Sequence, residues 1–248
     1  MSTLKVSAIN NPSATTGGIA IDASGNVSGS LPSGFRNAII NGNFAIWQRG
    51  TSFNPSSSLI YTADRWFAYN PGNGSATVSQ QTFTPGNAIS GYESQYYMRY
   101  AVSSVGTSTA FNIGQRVEDV RTFAGQTMTV SFWMKSDAQR TVYGHIYQNF
   151  GSGGSATTDT VSGTFTVTTS WQRFTASISV PSISGKTIGA NSYLAIEFNL
   201  PVATQTTEIW GVQAEAGSVA TAFEVEQFGT TLIKCQRYFE KSFVDGVA

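Results

Sequence analysis

The chain has one histidine, one cysteine and fourteen carboxylate side chains with which to do acid–base or metal chemistry. A Ser-His-Asp arrangement would have to use His145, and no G-x-S-x-G elbow precedes it. Cys–His catalysis would need Cys235, from a region with helical spacing, beside His145, from a region with strand spacing. One histidine and one cysteine cannot close a zinc site. Glycoside hydrolysis needs two carboxyl groups about 5–10 Å apart across one cleft. The carboxylates are dispersed, and Glu118 and Asp119, adjacent in an expected strand, would point to opposite faces. Asp64 beside Arg65 reads as a buried ion-pair strut. The sequence therefore predicts no catalytic residue, no metal and no cofactor, and His145 is read as a solvent-facing histidine.

Two strands carry a different chemistry. Residues 142–149 alternate, placing Tyr143, His145 and Tyr147 on one face. Residues 193–200 put Leu194, Ile196, Phe198 and Leu200 on a core face, leaving Tyr193, Glu197 and Asn199 on the other. Aromatic rings stack on sugar faces, while carboxylate and amide groups bind hydroxyls. These six are glycan-contact candidates. Packing against a neighbouring subunit would explain the same aromatics.

Strands must position these groups, and the chain supplies them. The clearest runs from Thr127 to Lys135, where Met128, Val130, Phe132 and Met134 alternate with Thr127, Thr129, Ser131 and Trp133. Residues 172–180 behave likewise, with Phe174, Ala176, Ile178 and Val180 on one side. Further strands are expected at 96–102, 111–117, 142–147, 160–167 and 208–214. About ten short strands with Gly-rich punctuation and no helix between them predict an antiparallel β-sandwich. Trp47, Trp66, Trp133, Trp171 and Trp210 read mostly as core or rim. Only residues 229–243 have helical spacing, through Leu232, Ile233, Cys235, Tyr238, Phe239 and Phe243.

Composition narrows the function. Charged residues are 11% of the chain, against about 25% in an average soluble protein, and the formal net charge is zero. Nothing steers the chain to nucleic acid or to an anionic membrane. No apolar run approaches the roughly 20 residues that cross a bilayer. The first residues lack the apolar core of a signal peptide, so folding in a cytosol is expected. A single cysteine forms no intrachain disulfide.

The segment Phe35–Gly50 divides a polar arm from everything able to form a core. Ala38-Ile39-Ile40 reads as a first buried strand and Asn41-Gly42-Asn43 as a turn. Asn37-Ala-Ile-Ile-Asn-Gly-Asn-Phe-Ala-Ile-Trp-Gln-Arg-Gly50, with Tyr61-Thr-Ala-Asp-Arg-Trp66, resembles the opening of a jelly-roll domain found in bacteriophage tail fibres. That domain is similar to carbohydrate-binding modules of the galactose-binding-like type. Residues 115–121 and 124–136, then 210–224 and Cys235-Gln-Arg-Tyr-Phe239, carry the likeness through the chain. The resemblance implies an all-β antiparallel jelly-roll with an N-terminal arm and a C-terminal helix. It also implies a calcium site between the Asn41-Gly42 turn and an acidic last strand. Residues 208–215 lack the expected paired Asp, which argues against such a site.

The expected divisions are an attachment arm and linker at 1–34, the jelly-roll at 35–226, and the helix and tail at 227–248. Leu4, Val6, Ile9, Ile19, Ile21 and Val27 are virion-anchor candidates, spaced to add short strands to a partner. A hairpin is expected there, with residues 22–26 turning between Ile19–Ile21 and Val27. Leu232, Ile233, Tyr238 and Phe239 are oligomer-interface candidates for a homotrimer. The resulting expectation is a non-enzymatic structural component of a phage virion appendage, foremost a tail fibre, assembled in the host cytoplasm. Its expected partners are other virion proteins at the tail or head and host-surface polysaccharide. The alternatives are a head decoration or spike protein, a free carbohydrate-binding module, and a hydrolase.

Overall fold

The computed structural model describes residues 36–86, 89 and 91–241, and the backbone of three short strands before them. Those three are β1 (Ala8–Ile9), β2 (Ile19–Ile21) and β3 (Val27–Gly29), which form an antiparallel sheet in that order. Ile19 pairs with Gly29 and Ile21 with Val27, so the expected hairpin is present, and β1 adds to its edge. The chain separates into two compact units, Met1–Arg36 and Asn37–Ala248.

The second unit is a β-sandwich. Its strands are β4 (Ser52–Phe53), β5 (Ile60–Tyr61), β6 (Trp66–Tyr69), β7 (Ser75–Thr82), β8 (Tyr96–Ser104), β9 (Phe111–Val117), β10 (Thr127–Ser136), β11 (Arg140–Asn149), β12 (Thr158–Val167), β13 (Gln172–Ser179), β14 (Tyr193–Leu200) and β15 (Gln205–Ala216). One six-stranded sheet runs β13-β10-β15-β8-β7-β4 and the other β12-β11-β14-β9-β6-β5, every pairing antiparallel. Facing side chains of both sheets build one core. Phe132 of the first sheet meets Phe165 (5.0 Å between ring centroids) and Phe198 (4.6 Å) of the second. Edge-to-face pairs of this kind add about 0.5–1.5 kcal/mol beyond the area that they bury. No helix among the described residues is long and apolar enough to cross a membrane.

The opening segment differs from the expectation. Residues 38–40 are not a strand. Ala38 donates its N–H to the Ala214 carbonyl, but side-chain amides take the next positions. The Gln115 amide brackets Ile40, accepting its N–H at 2.9 Å and donating to its carbonyl at 2.8 Å. Asn37 does the same to β15, donating to the Val212 carbonyl and accepting from the Ala214 N–H. Buried backbone groups must be paired, and here amide side chains pair them in place of a ladder. The Asn41 turn is present, with φ +59°. Asn41 exchanges hydrogen bonds with Ile46, accepting its N–H at 3.0 Å and donating to its carbonyl at 2.9 Å. It also donates to the Asp64 carbonyl at 3.1 Å.

Two further expectations are corrected. Asp64 is buried, but its ion partner is Arg49 at 3.0 Å, with Gln48 Nε2 donating at 2.7 Å; adjacent Arg65 instead donates to the Arg116 carbonyl. The helix α1 (Phe228–Gln236) starts one residue earlier than expected and ends seven earlier. Part of the expected apolar stripe is covered within the chain. Cys235 is buried, Phe239 lies 3.6 Å from the Arg49 guanidinium and Tyr238 lies 3.4 Å from that of Arg65. The two cations therefore cover rings that the sequence assigned to an oligomer interface. Leu232 is half-buried and Ile233 is 71% exposed.

Candidate functional site

The outer face of the second sheet gathers the six glycan-contact candidates, because alternation in β11 and β14 is uninterrupted. In β11 Val142, Gly144, Ile146 and Gln148 point inward and Tyr143, His145 and Tyr147 outward. In β14 Leu194, Ile196, Phe198 and Leu200 are buried while Tyr193, Glu197 and Asn199 are only partly so. Register then sets rows across the face. Tyr143 pairs with Asn199 and Asn199 with Asn112 of β9. His145 pairs with Glu197, and Glu197 with Gly114. Tyr147 pairs with Ala195, and Ala195 with Arg116.

One irregularity completes the site. The pairing of β11 with β12 runs Gly144 to Gly163 and then His145 to Val161, so Ser162 is an extra residue. Such a bulge reverses which residues face outward beyond it. Phe165 and Val167 point into the core, and strict alternation would send Asp159 and Val161 after them. The bulge turns both outward instead. Gly144 permits it, since a Cβ there would stand 2.2 Å from Ser162 Oγ. Asp159 thereby pairs with Tyr147, and its Oδ1 lies 2.9 Å from His145 Nδ1. The His145 and Tyr147 rings stack, 5.7 Å between centroids and 9° from parallel.

The electrostatics are unusual for a surface with so little charge. Burial pushes the Glu197 carboxyl up to about 7, opposed by the positive charge of Arg116 and by His145, and assisted by Asp159. Burial, with Glu197 and Asp159 adding to it, also pushes Tyr147 up to about 12. Arg116 stands 4.5 Å from the centre of the Tyr193 ring and 5.5 Å from that of Phe67. The side-chain oxygens of Asn112 and Asn199 are buried and accept no hydrogen bond from the described residues. Tyr143, 47% exposed, offers an open ring at one end. The face thus presents stackable rings, a carboxyl group that is neutral at mildly acid pH, a fixed guanidinium and amide groups.

Sequence reasoning missed Asp159, Arg116 and Asn112. Arg116 and Asn112 belong to the outward set of β9 and were open to the same alternation argument. Asp159 was hidden by the bulge. Glu197 and Asp159, distant in sequence, are brought to the two sides of His145. Glu118 and Asp119 do not share a strand, since β9 ends at Val117. Among the virion-anchor candidates, Leu4 and Val6 lie outside the described residues. Ile9, Ile19, Ile21 and Val27 are placed only by their backbones in β1–β3. The Glu215 carboxylate of the last strand accepts hydrogen bonds from Gln213, from the Thr221 N–H and from Thr221 Oγ1, at 2.8–2.9 Å. No group of three or more His, Cys, Asp or Glu among the described residues is placed to hold a metal ion.

The family model described as a carbohydrate binding domain matches residues 36–197, and the chain belongs to that family. No curated protein matches. A solved tailspike protein 4 enzymatically active domain of bacteriophage CBA120 is 17% identical with a TM-score of 0.47, covering 74% of this chain and 22% of the tailspike chain. The matched region is thus under a quarter of that relative's length. A xylan-binding domain of Paenibacillus barcinonensis is 18% identical with a TM-score of 0.43, covering 62% of this chain and 92% of that one. A structure described as CBM4 is 18% identical with a TM-score of 0.40, covering 71% and 98%.

Proposed function

We propose that this member of the carbohydrate binding domain family holds a polysaccharide along the outer face of β9, β11, β12 and β14, without cleaving it, as part of a phage virion appendage. The observation that carries the binding reading is the convergence of Tyr143, His145, Tyr147, Asp159, Glu197 and Asn199 on one exposed sheet face. Neutral sugars suit it, because rings supply stacking, and amide and carboxyl groups supply directional hydrogen bonds to hydroxyls. The appendage reading rests on the blocks at 37–66, 115–136 and 210–239. A tail fibre is its foremost form and a head decoration or spike protein its alternative. In either, the arm at 1–34 docks on another virion protein, residues 35–226 form the outward body, and a homotrimer is the assembly proposed. A free carbohydrate-binding module is favoured by one observation: the family match, residues 36–197, lies within the sandwich and takes in none of β1–β3.

Glycan-array binding of the full chain tests the first claim. Binding that is lost in Tyr147→Ala, with the melting temperature unchanged, supports it; no binding to any glycan refutes it. Incubation with bound polysaccharide should release no reducing ends. Release that is abolished by Glu197→Gln would instead make Glu197 and Asp159 an acid–base pair. Incorporation into particles of a chain lacking the first 28 residues tests the anchor, since normal occupancy would place the anchor elsewhere.

A further inference from the structure

A cavity of about 650 Å3 lies away from that face, between the 43–51 turn, the 91–96 segment and the 223–228 segment. Its volume falls in the roughly 300–1,000 Å3 span of small-ligand sites. Trp210 is part of its wall, and the sequence pattern does not place it there by accident. In β15 Ile209 enters the core, Gly211 takes φ +65°, and Val212 enters the core again. The pairing with β10 skips from Trp133–Trp210 to Ser131–Gln213 at this point. The bulge holds Trp210 on the outer side of its sheet, where its indole N–H donates to Ser94 Oγ at 2.8 Å. Two more rings are fixed against it. Tyr92 stands 5.3 Å away, its hydroxyl accepting the Phe223 N–H at 2.8 Å, and Phe223 stands 4.9 Å away. Phe228, 61% exposed, adds an open ring at the rim.

Three side-chain amides, of Asn43, Gln80 and Gln95, also line the cavity and form no hydrogen bond with the described residues. Among the described residues no Lys, Arg or His lines it, and the one carboxylate that does, of Glu93, accepts the Gly86 N–H. A phosphate, sulfate or carboxylate ligand would find no counter-charge. A wholly apolar ligand would bury the amides with their hydrogen-bonding groups unpaired, which is unfavourable. Rigid rings with free amides and no cation match a neutral, hydroxyl-bearing molecule with apolar faces.

We infer that this cavity is a second saccharide site, taking a short neutral oligosaccharide or the end of a glycan chain. The inference takes its ligand class from the carbohydrate-binding reading but uses none of the residues of the sheet face.

The test is an NMR titration of the full chain with cellotetraose, xylotetraose and maltotetraose, following the indole N–H of Trp210 and the ring of His145 as reporters of the two sites. The expected result is a saturating Trp210 shift with at least one probe. It should survive in Tyr143→Ala and weaken about tenfold or more in Gln80→Ala and in Phe228→Ala. A His145 response with Trp210 unmoved overturns the second site and leaves the sheet face standing. A Trp210 response with His145 unmoved supports the cavity and refutes the sheet face. A Trp210 shift of equal affinity in Gln80→Ala and Phe228→Ala also overturns the inference. Silence of both reporters overturns both readings.

Discussion

Replacing Glu197 with Gln should stabilise the protein in a pH-dependent way. The folded carboxyl titrates at about 7 against an ordinary 4.5, chiefly because β9 and β11 flank β14 and remove it from water. Between pH 4.5 and 7 the unfolded chain has released this proton while the folded chain retains it. The unfolded state then binds fewer protons, so unfolding free energy falls as pH rises through that window and levels off above 7. At about 1.36 kcal/mol per pKa unit, a rise from 4.5 to about 7 amounts to at most about 3.4 kcal/mol. Glutamine keeps the shape of the neutral acid and has no proton to lose. Glu197→Gln and the parent should therefore melt together near pH 4.5, and the variant should be more stable at pH 8.5. For a domain of this size each kcal/mol moves the melting temperature by about 2–4 °C, so a gap of several degrees is expected. Arg116, His145 and Asp159 face the same carboxyl and are the same residues in both proteins. Calorimetry across pH 4.5–8.5 is the assay. A gap that does not change with pH, or a variant less stable at pH 8.5, would refute the reasoning.

Three further outcomes are expected. Gly211→Ala should cost about 2 kcal/mol or more in urea unfolding, because the left-handed φ disfavours a side chain and the new Cβ would lie 2.7 Å from Trp133 Cε3; no loss would remove the bulge from the account of Trp210. Asp64→Ala should cost about 3–5 kcal/mol by the same measurement, since it strands Arg49 and Gln48 beside an emptied buried position. Phe132→Ala should cost about 3–5 kcal/mol, because this ring joins the two sheets through Phe165 and Phe198; a cost under 1 kcal/mol would mean that the sheets are held mainly elsewhere.

Period-two alternation was enough to read the sandwich and most of its candidate binding face from the amino acids. A side chain in an unbroken strand has only two directions, and the runs in β10, β11 and β14 contain no irregularity on the faces concerned. That is why Tyr143, His145 and Tyr147 could be put on one face of their strand, and Tyr193, Glu197 and Asn199 on one face of theirs, without knowing whether the two strands touch. Their row-by-row register, and the approach of Arg116 and Asn112 from β9, depend on which strands become neighbours, and local sequence does not encode that.

The bulges lie beyond alternation altogether. Ser162 and Gly211 each shift the phase of a strand by one residue. The first sends Asp159 to His145, and the second keeps Trp210 out of the core between the sheets and in a separate buried cluster with Trp133 and Phe223. The opening segment shows the same limit from another side. Ala38-Ile39-Ile40 has the composition of a strand, but Gln115 and Asn37, far away or on the flank, take the hydrogen bonds that a ladder would have used. Likewise the rings of Tyr238 and Phe239 were visible in the sequence as apolar surface needing cover. Only the tertiary structure decided that Arg65 and Arg49 cover them, because a cation held over a ring face is set by where the chain folds back and not by spacing along it.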